Sequence, residues 1–211
     1  LLGQHFLLDP EVLAAIVETA DLKITDAVVE IGSGLGVLTQ ELCKRTRKVY
    51  SVEKDIRFRS ALLPLQESNS HLSFIWKDAL QMNIPELVKG PFKVVANLPY
   101  FLTSLIFRQL LENEQQPSSI TVLVQQEVAE RITAESGDHS LLSLSVQLYG
   151  KPELIATVPP AAFWPKPVVN SAILHVSGIG RDHVKGIEEA AFFRMLRIGF
   201  SSKRKQLKNN L

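Results

Sequence analysis

Cysteine is nearly absent from this chain, since Cys43 stands alone among 211 residues. A single cysteine excludes an internal disulfide and, by itself, a metal cluster held by several thiolates. Because Cys43 lies beside Leu42 in a helix-like stretch, we expect a packed thiol rather than a nucleophile. The histidines also lack metal-ligand spacing, and no metal site is predicted.

Long apolar runs are missing as well. No apolar run reaches about 18 residues, the length of a membrane-spanning helix, and no stretch is typical of a signal peptide. Hydrophobic residues make up 45% of the chain and charged residues 21%, which is ordinary for a globular domain. We therefore expect a cytoplasmic protein without a membrane partner.

Net charge is small, at +1, but it is unevenly distributed. Residues 181–211 contain eight Lys and Arg against three Asp and Glu, so the rest of the chain is mildly acidic. A basic C-terminal segment on an acidic body is typical of a protein whose C-terminal side meets a polyanion. A solvated basic tail is the alternative.

Short apolar runs alternate with helical patterns along most of the chain. Strands are predicted over 27–31, 48–52, 72–76, 94–96, 119–124, 153–158 and 172–176. The first five are separated by helical stretches, which favours a parallel, doubly wound α/β sheet. The last two are joined by a proline-rich connection without a helix, so we expect them to pair antiparallel at an edge. The prediction is a Rossmann-like, mostly parallel seven-stranded sheet with helices on both faces.

Two boundaries are predicted from glycine and proline. Gly178 and Gly180 are typical of a linker, so residues 1–178 form one predicted domain and residues 179–211 begin another. A helix over 188–198 is the first element of that helical C-terminal part. Pro64 is predicted to lie near the end of a helix over 56–65.

A glycine-rich loop follows the first predicted strand. Gly32, Gly34 and Gly36 have the spacing G-x-G-x-G, with Glu30 just before them. A nicotinamide dinucleotide site would place its third glycine at position 37, which is Val37. The observed spacing favours S-adenosylmethionine (SAM), which has no pyrophosphate for the loop to bind.

Acidic residues end the next two predicted strands. Glu53 lies where a carboxylate can accept hydrogen bonds from both ribose hydroxyls of a nucleoside cofactor. Asp78 lies where it can accept from the exocyclic amine of the cofactor adenine. Each acid is alternatively a helix N-cap or a solvated turn residue, and Asp55 competes with Glu53.

Asn97-Leu98-Pro99-Tyr100 follows the fourth predicted strand. On its own it is a strand-to-helix turn, but next to a SAM site it suits an adenine amine. The Asn97 side-chain oxygen and the Leu98 carbonyl can accept from its two N–H bonds. Pro99 fixes the turn, and Tyr100 can stack on the base.

Motifs along nearly the whole chain resemble the KsgA-type ribosomal RNA adenine N6,N6-dimethyltransferases, which are class I SAM-dependent methyltransferases. The opening motif is Gly3-Gln4-His5-Phe6-Leu7, and Glu30 to Gly34 matches the SAM loop. Residues 77–79, 97–100 and 125–129 follow in the family's order. Residues 159–171 match F-x-P-x-P-x-V-x-S, and residues 200–211 resemble a basic segment early in the family's C-terminal domain.

The resemblance implies roles for matching residues. SAM would be bound by His5, Leu7, Gly32, Gly34, Glu53, Asp78 and Asn97. Catalysis would rest on Asn97, Leu98, Pro99 and Tyr100. Tyr100 and Phe163 would sandwich a flipped adenine, and Lys203, Arg204 and Lys205 would contact RNA phosphates. Trp164 either extends an RNA-facing surface or packs in the core.

The implied reaction is N6,N6-dimethylation of two adjacent adenines in the 3′-terminal hairpin loop of small-subunit (16S) rRNA, with the immature 30S subunit as partner. Alternatives are an Erm-type large-subunit rRNA methyltransferase and a non-catalytic RNA-binding assembly factor on the same fold. Erm-type enzymes typically carry N-I-P-Y, so Leu98 favours the small-subunit enzyme. Family members extend beyond both ends of this chain, so we expect a truncated piece that still binds SAM.

Overall fold

The structure is a computed structural model that describes residues 4–135, 139–186 and 188–200. Its strands are β1 (Phe6–Leu7), β2 (Ala27–Ile31), β3 (Lys48–Glu53), β4 (Leu72–Trp76), β5 (Lys93–Asn97), β6 (Ser119–Gln125), β7 (Lys151–Val158), β8 (Phe163–Trp164) and β9 (Ser171–Ser177). Its helices are α1 (Pro10–Thr19), α2 (Val37–Arg45), α3 (Arg59–Ser68), α4 (Ile84–Leu87), α5 (Thr103–Leu111), α6 (Gln126–Ile132), α7 (Leu141–Gln147) and α8 (Glu189–Gly199). Within these ranges, no helix is long and apolar enough to cross a membrane.

Seven strands form the main sheet, in the order β4-β3-β2-β5-β6-β9-β7. Strands β4, β3, β2, β5 and β6 are parallel to one another, and β9 is antiparallel to both β6 and β7. The prediction of a mostly parallel sheet with the last strand antiparallel is confirmed. Strand β7 forms one edge, where Pro152 is tolerated because an edge strand can leave an N–H out of the ladder.

Helices cover both faces of this sheet, because its central strands are apolar on both sides. On β2, Val28 packs with α1 and α2, whereas its neighbour Val29 packs with the helices from α4 onward. Cys43 is buried in the α1–α2 layer, as predicted. Burial raises the pKa of its thiol to about 11, which keeps it protonated and unreactive at neutral pH.

The order in which the chain adds strands to the sheet reverses between β2 and β5. From β2 the chain adds β3 and β4 on one side, and then returns to place β5 and β6 on the other. The connections after β2 and after β5 therefore leave toward opposite sides. Such a topological switch point opens a crevice at the carboxyl ends of the two strands. The glycine loop follows β2 and Asn97 ends β5, so both border this crevice.

A second sheet contains only β1 and β8, paired antiparallel. It joins the segment before α1 to the segment before β9, and no pattern in the sequence predicted it. Two-residue strands are too short to show hydrophobic alternation. This small ribbon lies beside the crevice, since β1 contributes to its lining.

The helix predicted to end near Pro64 runs on to Ser68, so that boundary was wrong. It begins as a 3-10 turn over Ile56–Phe58 and continues as α3. A proline removes the hydrogen bond to the carbonyl four residues earlier, and for Pro64 that residue is Ser60, at the start of α3. Helix α3 nevertheless continues for one more turn after Pro64.

The C-terminal helix α8 packs on the sheet domain. Phe193 and Leu196 belong to the same apolar cluster as Phe107 of α5. The Tyr149 and Phe193 rings stack with centroids 6.3 Å apart, and the Tyr149 hydroxyl donates to Glu189 Oε2 at 2.6 Å. The domain boundary at 178 stays a prediction, but helix α8 shares its core with the residues before that boundary.

We predict that Phe193→Ala lowers the free energy of unfolding of the whole chain by roughly 2–4 kcal/mol, because it removes a buried ring from a shared core. Met195→Ala is the matched control on the same helix, since Met195 is 48% exposed. Urea denaturation followed by circular dichroism and by tryptophan fluorescence measures both. Two separate transitions, with only one shifted by Phe193→Ala, would instead assign α8 to an independent unit.

Candidate active site

A cavity of about 380 Å³ lies at the carboxyl ends of the parallel strands. Its volume is within the range of small-molecule sites. Its lining includes every residue predicted to bind the cofactor or to act in catalysis: His5, Leu7, Gly32, Gly34, Glu53, Asp78, Asn97, Leu98, Pro99 and Tyr100. These residues come from five separate segments of the chain, and the sheet brings them to one place.

The glycine loop needs its glycines for different reasons. Gly32, Gly34 and Gly36 all have positive φ, a region that other residues rarely adopt. A Cβ on Gly36 would also come within 2.6 Å of Leu62 Cδ2, so α3 packs against the loop at that point. A Cβ on Gly32 would lie 3.7 Å from the Asn97 carbonyl oxygen, across the crevice.

Glu30 is fully buried behind this loop. Its Oε2 accepts hydrogen bonds from Thr39 of α2, at 2.5 Å, and from Ser51 of β3. Ser51 in turn shares a 2.5 Å hydrogen bond with Ser33 of the loop. Burial raises the pKa of Glu30 to about 7 against the lowering effect of these hydroxyls, and the charge of Glu53 adds to the rise. The glycine-loop motif contains this acid, but no pattern in the sequence predicts the cluster of hydroxyls around it.

Glu53 is 4% exposed and faces the glycine loop. Its Oε2 accepts from the Gly34 N–H at 3.0 Å, and its Oε1 accepts from the Asp55 N–H at 2.7 Å. Asp55 was its competitor for the ribose position, and its carboxylate is engaged instead by Arg57, at 2.5 Å. The Glu53 carboxylate thus accepts two backbone hydrogen bonds and also borders the cavity.

Asp78 borders the cavity at the end of the next strand. Its Oδ1 accepts from the Leu80 N–H at 3.0 Å, so it also caps a short 3-10 helix. Its Oδ2 pairs with Lys54 at 2.7 Å, and that hydrogen bond holds the pKa of Asp78 below its usual value. The capping interpretation and the cofactor interpretation are therefore compatible, since one side chain can do both.

The Asn97 amide is oriented by the N-terminal arm. Its Nδ2 donates to the His5 carbonyl oxygen at 3.0 Å. Because a carbonyl oxygen can only accept, the amide nitrogen must face His5. The amide oxygen is then the atom that can accept from an incoming N–H group. Sequence reasoning identified Asn97 but missed this contact, since His5 lies 92 residues away.

Tyr100 is held from two sides. Its hydroxyl shares a 2.7 Å hydrogen bond with Ser171 at the start of β9. Its ring stacks on His5, with centroids 5.8 Å apart and an interplanar angle of 26°. The His5 ring Nδ1 lies 2.7 Å from the Pro165 carbonyl oxygen, which ties this stack to the segment after β8. Tyr100 therefore has a fixed ring at the rim of the cavity.

Phe163 lies elsewhere. It is 3% exposed and packs in the apolar cluster with Leu7 and Ile173, and it does not line the cavity. A buried β8 position explains this, because Phe163 faces the sheet while Trp164 faces outward. Its stacking role stays a prediction. Lys203, Arg204 and Lys205 lie outside the described residues.

A larger cavity, of about 1170 Å³, lies between α5, α7 and α8. Its lining contains none of the residues predicted for cofactor or catalysis. Volume alone does not identify a site, and the smaller cavity at the strand ends has the convergent polar groups.

We predict that Glu30→Gln becomes more stable relative to the wild type as pH rises. Between pH 4.5 and 7 the folded chain keeps a proton on Glu30 that the unfolded chain has released, so wild-type stability declines by about 1.4 kcal/mol per pH unit from this group. Glutamine does not titrate, so the variant lacks this pH-dependent decline in stability. Urea denaturation at pH 5, 6.5 and 8 measures the difference in unfolding free energy between the two proteins. The contributions of the other carboxylates are the same in both proteins and cancel in this difference. A difference independent of pH would contradict the assignment.

Comparison with known proteins gives one family over the whole chain: "Ribosomal RNA adenine dimethylase" matches residues 1–211. The chain is 45% identical to Ribosomal RNA small subunit methyltransferase A of Dehalococcoides mccartyi, over all of this chain and 73% of that protein. It is 39% identical to the protein of the same name from Clostridium botulinum, over all of this chain and 78% of that protein.

Two solved structures named as methyltransferases have the same fold. A dimethyladenosine transferase from Plasmodium falciparum superposes with a TM-score of 0.83 at 31% identity, covering 98% of this chain and 74% of that one. The 23S rRNA methyltransferase ErmE superposes with a TM-score of 0.82 at 28% identity, covering 97% and 82%. Motifs, fold and cavity agree with these likenesses, and this chain belongs to the ribosomal RNA adenine dimethylase family.

Proposed function

We propose that this chain is a SAM-dependent methyltransferase that dimethylates N6 of two adjacent adenines in the 3′-terminal hairpin loop of small-subunit rRNA. It would act as a cytoplasmic monomer on the immature 30S subunit. The proposal rests on one observation. A glycine loop, two strand-end carboxylates and an oriented asparagine amide all line the same 380 Å³ cavity. Named relatives at 38–45% identity support the small-subunit substrate.

The cavity fits a nucleoside cofactor on its own chemistry. Three glycines with positive φ let the loop backbone approach a ligand closely. Glu53 and Asp78 provide acceptors at the ends of neighbouring strands β3 and β4, suited to ribose hydroxyls and to an adenine amine. When bound, SAM supplies a methyl group activated by a sulfonium sulfur.

The chain's own contribution is to hold the target amine. The lone pair of an adenine amine is delocalised into the ring, so the nitrogen is a poor nucleophile. Acceptance of its N–H bonds by Asn97 Oδ1 and the Leu98 carbonyl would favour a more tetrahedral nitrogen, whose lone pair is less delocalised into the ring. The nitrogen gains one carbon and releases one proton to solvent for each methyl transferred. Positioning and electrostatics supply the rate enhancement.

Tyr100 would hold the base itself. Its ring is fixed by Ser171 and His5, so little conformational entropy is lost when a flipped adenine stacks there. Base stacking on an aromatic side chain contributes roughly 1–3 kcal/mol. Flipping is least costly in a single-stranded loop, which is the kind of RNA target proposed.

The Erm-type alternative concerns substrate rather than chemistry. A dimethyladenosine transferase and the 23S rRNA methyltransferase ErmE superpose almost equally well, so the fold alone does not decide between the proposed substrate and the Erm-type one. Leu98 in the tetrapeptide and the small-subunit relatives favour the 16S substrate.

The substrate assignment predicts where methyl groups appear. Small subunits and large subunits lacking adenine dimethylation are incubated with the protein and labelled SAM, and the modified bases are mapped. We expect two adjacent dimethyladenines in the 3′-terminal hairpin loop of small-subunit rRNA. Label on large-subunit rRNA would establish the Erm-type alternative. Cofactor binding without any transfer would establish a non-catalytic RNA-binding factor.

Separate roles for Asn97 and Glu53 predict different kinetic defects. Asn97→Ala should lower kcat roughly 100- to 1000-fold with little change in SAM affinity, because it removes an acceptor for the reacting amine. Glu53→Ala should weaken SAM binding roughly 10- to 100-fold, because a charge-assisted acceptor is lost. Isothermal titration calorimetry and single-turnover methylation measure the two effects.

Glu114→Ala is the matched control, because Glu114 is exposed in the loop after α5, at the opposite edge of the sheet. Equal loss of SAM affinity and rate in Asn97→Ala would show that Asn97 only supports the cofactor loop. Unchanged SAM affinity in Glu53→Ala would remove Glu53 from the cofactor site.

A further inference from the structure

Trp164 is an exposed tryptophan on the β1–β8 ribbon, whose strand β1 contributes to the cavity lining. In the β1–β8 ribbon, Phe6 is paired with Trp164 and Leu7 with Phe163. Directly paired residues point to the same face of a ribbon, and successive residues point to opposite faces. Leu7 and Phe163 therefore share the buried face, with 6% and 3% exposure. Trp164 shares the other face with Phe6 and is 65% exposed.

Phe6 connects this face to the cavity. It lines the cavity, and a Cβ on Gly34 would lie 3.2 Å from its ring. Trp164 lies on the neighbouring strand β8, and the usual spacing of paired strands places its backbone about 5 Å from that of Phe6. It is thus next to the cavity without contributing to its lining.

The segment after Trp164 is fastened to the base-binding side of the cavity. The Pro165 carbonyl oxygen lies 2.7 Å from His5 Nδ1, and the His5 ring stacks on Tyr100. Trp164 therefore has a defined position relative to Tyr100. Lys166 and Val168 follow in the chain and are exposed, with Val168 at 99%. An exposed ring, an exposed cation and an exposed apolar side chain thus lie within five consecutive residues of the chain.

An exposed indole leaves a large apolar area in water, and a partner that covers it would remove that area from water. Indole rings stack on nucleic-acid bases, and a nearby lysine attracts the phosphate backbone. Of the two interpretations that the sequence left open for Trp164, the exposure excludes packing in the core.

We propose that Trp164 is a stacking platform for the base next to the adenine in the cavity. The inference rests on the proposed function, in which two adjacent adenines are methylated in one loop. While one adenine occupies the site beside Tyr100, its unstacked neighbour lies one nucleotide away, over the outer face of the ribbon. Trp164 would hold that neighbour and keep the loop in register.

The test measures RNA binding separately from methyl transfer. The probe is a stem-loop RNA with two adjacent adenines in its loop, compared with the same RNA carrying an abasic nucleotide beside the target adenine. Trp164→Ala should weaken binding of the intact RNA roughly tenfold, and Trp164→Phe should weaken it less. SAM affinity should not change in either variant. Ile24→Ala is the matched control, since Ile24 is 53% exposed at the opposite edge of the sheet.

The abasic RNA identifies the contact. It should bind the wild type less tightly than the intact RNA does, whereas Trp164→Ala should bind the two RNAs equally, because the partner of the missing base is already gone. Additive losses, or a wild type that does not distinguish the two RNAs, would overturn the proposal. A Trp164→Ala defect seen only with whole subunits would assign the indole to a protein surface and also overturn it.

These outcomes are independent of the catalytic assignment. Failure of the proposed function would appear as a wild type that makes no dimethyladenine on small subunits. Failure of the platform would appear as unchanged RNA discrimination in Trp164→Ala, with methyl transfer by the wild type intact.

Discussion

The reversal of sheet growth between β2 and β5 is the constraint on which the site depends. It opens a crevice that no single element could form, and it places the glycine loop opposite Asn97. Because the neighbouring strands are parallel, their carboxyl ends add Glu53 and Asp78 at the same edge. Four segments far apart in sequence therefore meet, and each needs only a short polar terminus to contribute.

The loop would not hold this shape from glycine alone, since glycine allows many conformations. Two buried carboxylates restrict it from behind. Glu30 reaches Ser33 through Ser51, and Glu53 accepts from the Gly34 N–H. The first is a structural link inside the domain, and the second also borders the cavity. Flexibility needed for close approach is thus combined with a fixed position, which is what a preformed cofactor site requires.

The sequence predicted the main sheet well because each strand is a run of apolar, often β-branched residues between helical patterns. It also predicted that polar residues at or just after strand ends come together, and Glu53, Asp78 and Asn97 do line one cavity, although their roles stay predictions. The sequence did not predict features that depend on contacts between distant segments. The β1–β8 ribbon is too short to show an alternation of apolar and polar residues. Its pairing buries Phe163 and exposes Trp164. The His5 contact with Asn97 joins residues 92 positions apart, which no local pattern reveals.

That contact has a consequence for the choice of substrate. The His5 carbonyl can only accept, so it uses the amide nitrogen of Asn97 and leaves the oxygen toward the cavity. An acceptor fixed in this way binds a group that carries N–H bonds and repels a carbonyl oxygen. An exocyclic amine therefore fits the site, whereas the keto oxygen of guanine or uracil at the same position would leave two acceptors facing each other. Under the proposed function, the N-terminal arm would thus help to select the base, although its own side chains need not touch the amine.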